Sequence, residues 1–159
     1  MKIKNTYKLI FSIIICQLAG LIGSFFTASS IGTWYAALQK PSFNPPNWIF
    51  GPVWVALFLL MGISLYLVWE KGIKAKGVKT ALIFFGIQLL LNMLWSIIFF
   101  GLRSPLYASI EIIILWLAIL FTIIKFYNIS KPAAYLLVPY ILWVSFAVVL
   151  NISIVLVNL

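Results

Sequence analysis

Histidine is absent from this chain, cysteine occurs once, and there are only two acidic residues, Glu70 and Glu111. Each shortage excludes something. Without histidine and with a single thiol, neither a conventional zinc centre nor a histidine-ligated haem has a ligand set, so no metal or cofactor is expected. Cys16 lies inside an apolar run with no second cysteine, which rules out a disulfide framework. Charged residues make up 8% of the 159. A soluble domain holds roughly a quarter, so this chain could not cover its own surface in water. What it has instead is 65% apolar residues. They recur in runs of about twenty, the pattern of transmembrane helices. The chain reads as an integral membrane protein.

The net charge of +9 would suggest nucleic acid in a soluble protein. Here the lysines fall at the ends of the apolar runs, where they meet lipid headgroups. Topology and anchoring account for them, and no nucleic-acid partner is expected. Lys2, Lys4 and Lys8 before an apolar stretch, with small residues at Ala28, Ser29 and Ser30, have the outline of a signal peptide. The apolar run from Leu9 to Phe26 is longer than a signal core, so it is read as a helix.

Five helices are expected, over about 7–27, 47–69, 80–100, 106–125 and 133–157, in a single transmembrane domain spanning 1–159. Each is long enough, at about 1.5 Å per residue, to cross about 30 Å of hydrocarbon. The fold class is an all-α membrane protein, a five-helix bundle with a long ordered loop between its first two helices. A barrel is excluded because apolar and polar residues do not alternate. Five spans put nine basic residues on one side (Lys2, Lys4, Lys8, Lys71, Lys74, Lys76, Lys79, Lys125 and Lys131) and two, Lys40 and Arg103, on the other. That asymmetry places the N-terminus in the cytoplasm and the 28–46 loop outside, across a plasma membrane. The loop is about nineteen residues long, more than a connector needs. Trp34, Tyr35, Leu38 and Phe43 give it something to pack, and it reads as a lid.

Polar side chains at bilayer depth tend to face the bundle interior and mark functional sites. Gln88, Asn92, Trp95, Ser96 and Phe99 share one face of the third helix. Tyr140, Trp143, Ala147, Leu150 and Asn151 share one face of the fifth, where Pro139 predicts a kink. Phe50, Trp54, Leu57 and Met61 line up on the second. The pattern alone does not separate an internal aromatic pocket from ordinary helix packing, since Asn and Gln often serve only to bridge neighbouring helices. Trp34, Trp48 and Trp69 read as interfacial belt residues. Glu111 reads as a helix N-terminal acid stabilised by the dipole, or as a partner of Arg103. Ala19 with Gly23, and Gly20 with Ser24, permit close helix contact within the bundle or in a dimer.

The run WYAALQKPSFNPPNWIFGPVW, residues 34–54, resembles the signature of the translocator protein family, also called tryptophan-rich sensory protein or peripheral-type benzodiazepine receptor. QLLLNMLWS from Gln88 to Ser96, Glu111 with Trp116, and PYILWVSFAVVLN from Pro139 to Asn151 agree with it. The resemblance implies a five-helix bundle, a homodimer, and a pocket under the first loop that binds protoporphyrin IX, sterols or synthetic aromatic drugs. Carried over by position, it implies Tyr35, Pro45, Phe50, Trp54, Asn92, Trp95, Trp143 and Ala147 as ligand-binding residues. It also implies Trp54 and Trp143 as the catalytic pair if protoporphyrin is degraded by light and oxygen. The tyrosine followed by a basic residue that marks sterol binding in animal members is missing, because no Lys or Arg follows Lys131. With the short tail after Asn151, this points to a bacterial member and away from sterol as the native ligand.

Physical reasoning on the proline-rich segment adds one more candidate. Pro41, Pro45 and Pro46 stiffen the loop, Asn44 or Asn47 is placed to cap the second helix, and that helix start gives a positive end near Lys40. Lys40 is therefore expected beside an anionic ligand group such as a propionate. Three functional readings stand: a porphyrin-binding protein that scavenges, senses or transfers its ligand; a photo-oxidative enzyme using the pocket tryptophans; and a transporter of porphyrin or sterol. No internal repeat supports the last.

Overall fold

A computed structural model describes residues 5–159; Lys2 and Lys4, which contribute to the charge asymmetry, lie outside the described residues. The elements are α1 (Thr6–Ile31), α2 (Trp34–Ala37), α3 (Asn47–Trp69), α4 (Val78–Ser96, prolonged by a π-helical turn Ile97–Gly101), α5 (Pro105–Tyr127), α6 (Lys131–Leu136) and α7 (Val138–Val157). There is no strand among the described residues. Five segments of 26, 23, 24, 23 and 27 residues are long and apolar enough to cross a bilayer, α4 with its π turn and α6 with α7 each counting as one. The protein is an integral membrane protein built as a five-span helical bundle.

Local chemistry explains where the ends fall. α1 starts at Asn5, whose side chain accepts from the Lys8 N–H at 3.2 Å. It runs four residues past the expected end at 27, because nothing before Gly32 breaks it. Two of its hydroxyls in this stretch are satisfied by the helix itself: Ser24 donates to Leu21 O at 2.6 Å and Ser29 to Phe26 O at 2.9 Å. The expected nineteen-residue loop is shortened accordingly, and α2 takes up part of what is left. α3 begins differently from expectation. Its N-cap position is Pro46, and no side chain caps it. Asn44 is occupied elsewhere, accepting from the Tyr35 hydroxyl at 2.8 Å and donating to Pro45 O at 3.0 Å. The fifth span is broken at Leu137, where α6 stops and α7 restarts with Pro139 in its first turn.

The helices form a ring. α1 packs on α3 and α4, α4 on α5, and α5 on both α6 and α7. α3 closes the ring against α6, while α3 and α7 are not among the closely packed pairs. The bundle is therefore tight at the end carrying α6 and splayed at the end carrying the first loop. Large aromatic side chains bridge the gap: Phe50 meets Trp143 with ring centroids 6.0 Å apart, and Trp54 meets Tyr140 at 6.4 Å.

Small residues set the α1–α3 and α1–α4 spacing. A Cβ on Gly62 would lie 2.7 Å from the Ile13 Cα, and one on Gly23 would lie 3.1 Å from the Ser96 Oγ. These close approaches are contacts within one bundle. Gly62→Leu should force the two backbones apart and cost about 1–3 kcal/mol of stability. Thermal unfolding in detergent should show a lowered midpoint; an unchanged midpoint would mean α1 moves away freely.

Candidate functional site

Where α3 and α7 part, the bundle encloses a cavity of about 520 Å³. Helix periodicity puts one residue per turn from each wall into it. α3 supplies Phe50 and Trp54, α4 supplies Asn92 and Trp95, and α7 supplies Trp143 and Ala147, with Tyr35 reaching down from α2. Of the residues singled out from sequence, Lys40 and Pro45 lie outside the lining. The Lys40 ammonium is taken up by the loop itself. It donates to Ala36 O at 3.3 Å and Leu38 O at 3.1 Å, and stands 4.8 Å from the centre of the Tyr35 ring.

The walls are held together by polar contacts between helices. Trp95 donates its indole N–H to Asn151 Oδ1 at 3.0 Å, and Asn151 donates to Pro105 O at 2.9 Å and Ser109 Oγ at 2.7 Å, tying α4, α7 and α5 together. At the floor, Asn92 donates to the Tyr140 hydroxyl at 2.9 Å, and that hydroxyl donates to Gln88 Oε1 at 2.9 Å. Trp116 donates to Ser145 Oγ at 2.8 Å. Among the described residues, neither Trp54 nor Trp143 spends its indole N–H on a partner, so both remain free to meet a ligand.

Two walls carry residues that pattern reading did not single out as ligand contacts. The π turn closes with a bond from Leu102 N–H to Ile97 O at 2.8 Å. Its wider turn lowers the angular step between successive side chains, so consecutive Phe99 and Phe100 both point inward. Trp95 stacks on Phe99 at 5.1 Å, and Tyr35 rests against both phenylalanines at 6.1 and 5.6 Å. The other wall is α1, which contributes Leu18, Gly20, Leu21 and Ser24. No aromatic residue marks this face, and its polar members, Gln17, Ser24 and Thr27, bond to backbone carbonyls.

The lid is fastened at several points. Tyr35 is 3% exposed and bonded to Asn44. Burial pushes its phenol above the ordinary tyrosine range, partly offset by the Asn44 bond. Gln39 is gripped by Asn158, which accepts from its N–H at 3.0 Å and donates to its carbonyl at 2.8 Å. Phe43 packs on Phe146 at 6.3 Å.

Glu111 departs from both sequence expectations. It is the seventh residue of α5, beyond the first turn, where no acidic residue stands. It is buried and neither carboxyl oxygen has a hydrogen-bond partner, so Arg103 does not pair with it. Among the described residues no group of three or more His, Cys, Asp or Glu side chains comes together to hold a metal.

The cavity is thus a slot at membrane depth with aromatic residues on several walls. The chain is 49% identical over 154 residues to the tryptophan-rich protein TspO of Archaeoglobus fulgidus, covering 97% of this chain and 99% of the relative. It is 44% identical over 155 residues to the protein of the same name from Chlorobaculum tepidum, covering 98% of each. With the human translocator protein it shares 40% identity over 137 residues, 85% of this chain and 80% of the relative. Residues 12–157 match the profile of the TspO/MBR family. The span of that match and the near full-length identities leave one assignment: the chain belongs to the TspO/MBR family.

Proposed function

We propose that this protein binds protoporphyrin IX and similar planar apolar ligands in the cavity, in a scavenging, sensing or transfer role. The observation that supports it is a cavity of about 520 Å³ at membrane depth with the indoles of Trp54, Trp95 and Trp143 on three walls. Cavities of roughly 300–1,000 Å³ take ligands of drug size. Flat aromatic walls already fixed by packing and by the Trp95–Asn151 bond bind a rigid planar molecule with little ordering loss. The protein is placed in a plasma membrane with its N-terminus cytoplasmic and its lid outside, on the strength of the lysine distribution. A homodimer belongs to the same proposal.

A second reading has its own support. Trp54 and Trp143 both face the cavity with unengaged N–H groups. An indole against a photoexcited porphyrin can give it one electron, leaving an indole radical cation and a porphyrin radical anion, and dioxygen takes that electron from the anion to become superoxide, an oxidant formed beside the macrocycle. A titration of purified protein with protoporphyrin IX, followed first by tryptophan quenching in the dark and then by porphyrin absorbance under illumination, separates the two. Binding alone predicts saturable quenching and a protein-independent absorbance in the light. Degradation predicts loss of the porphyrin band in wild type and its preservation in Trp54→Phe and Trp143→Phe. Absence of saturable quenching would defeat both.

A further inference from the structure

The boundaries of the cavity differ in character. Toward the aqueous side it is shut: Tyr35 is buried under the Asn44 bond, Asn158 holds Gln39 by two bonds, and Ser30 Oγ donates to Phe100 O at 2.9 Å. Toward the bilayer it is not. α1 and α3 are in close contact only up to a certain height, set by Gly62 against Ile13, Gly20 against Phe58, and a bond from Gln17 Nε2 to Val55 O at 3.0 Å. On the lid side of those contacts, Leu21 and Ser24 of α1 and Gly51 of α3 line the cavity.

Leu18, Leu21 and Val55 line the cavity and yet are 50%, 52% and 59% exposed, so each faces the interior and the outer surface at once. Gly51, one turn from Val55, also lines the cavity, and a Cβ built on it meets nothing within 4 Å. Leu18 and Leu21 sit near the middle of the 26-residue α1, hence at the depth of the lipid chains. The polar α1 side chains near this rim are spent on backbone carbonyls: Gln17 on Val55 O, Ser24 on Leu21 O and Thr27 on Gly23 O.

We propose that the slot between α1 and α3, bordered by Leu18, Leu21, Gly51 and Val55, is a lateral portal. Through it planar ligands dissolved among the lipid chains reach the cavity while the lid stays closed. This rests on the binding function proposed above. An apolar rim exchanges lipid for ligand with little penalty, and a flat molecule passes edge-on between two helices. A route from water would have to break the Tyr35 and Asn158 bonds and carry an apolar ligand through solvent. Gly51 then has a reason to lack a side chain: any larger one stands in the opening.

The test is stopped-flow tryptophan quenching by protoporphyrin IX in lipid nanodiscs, in dim light, with Gly51→Leu and Val55→Phe as plugs and Asn158→Ala as a loosened lid. The portal predicts that the observed rate follows the amount of porphyrin per lipid. Both plugs should slow association by about tenfold, within the range that on-rates span among variants of one site. Asn158→Ala should associate at the wild-type rate. Saturable binding with unslowed plugs and a faster Asn158→Ala would overturn the portal and leave the binding site standing. A wild type that shows no saturable quenching would remove both.

Discussion

Ala147→Phe is expected to weaken protoporphyrin IX binding by about a hundredfold or more, equivalent to roughly 2.8 kcal/mol. Ala147 is the small residue on the α7 wall, on the same face as Trp143 and opposite the α3 aromatics. A benzyl group there extends into the cavity, where there is room, so the helices need not move apart. It takes the space a macrocycle would need. Stability should therefore be kept or slightly raised while affinity is lost, a combination that separates occlusion from misfolding. The check is a dark quenching titration paired with thermal unfolding of the same variant. Unchanged affinity in a folded variant would place the ligand elsewhere on the molecule.

Tyr140→Phe should have the largest effect on stability among single-atom deletions. The Tyr140 side chain is fully buried, and its hydroxyl accepts from Asn92 and donates to Gln88, both on the facing α4. Gln88 Nε2 already has no partner, so the variant would leave the whole Gln88 amide unpaired. Stranding a buried polar group costs about 1–3 kcal/mol in water-soluble proteins. Interhelical bonds in membranes are worth about 0.6–1.7 kcal/mol each. Two lost bonds then predict a loss of about 1–3 kcal/mol, read as a lowered midpoint in denaturing-detergent titration. Asn92 lines the cavity, so affinity should fall several-fold as well. A variant with wild-type stability and affinity would show that the Gln88–Tyr140–Asn92 chain does not brace α4 against α7.

How far the sequence could be read depended on what kind of signal each feature leaves. Hydropathy located all five spans, because a lipid environment demands long apolar runs and little else looks like them. Helical spacing placed Asn92 with Trp95, and Trp143 with Ala147, on common faces that do line one cavity. The features that escaped depend on tertiary context. The π turn at Ile97–Gly101 has no composition of its own, though two adjacent phenylalanines at a helix end hint at it. The α1 wall is written mostly in aliphatic and small residues, which look the same whether they face lipid, a neighbour or a cavity. The break at Leu137 falls where Pro139 predicts a kink, whereas the grip of Asn158 on Gln39 joins positions far apart in the chain. Lys40 was placed by charge, yet its ammonium found carbonyl partners in its own loop. Asn44 was read as a helix cap, but it is held by Tyr35, a partner nine residues away.

The most direct measurement is a structure of the protein determined with protoporphyrin IX in a lipid phase. The account predicts porphyrin density inside the cavity, against Trp54 and Trp143, with the lid bonds of Tyr35 and Asn158 intact. Porphyrin held only on the outer surface, with the cavity filled by side chains or lipid, would contradict it.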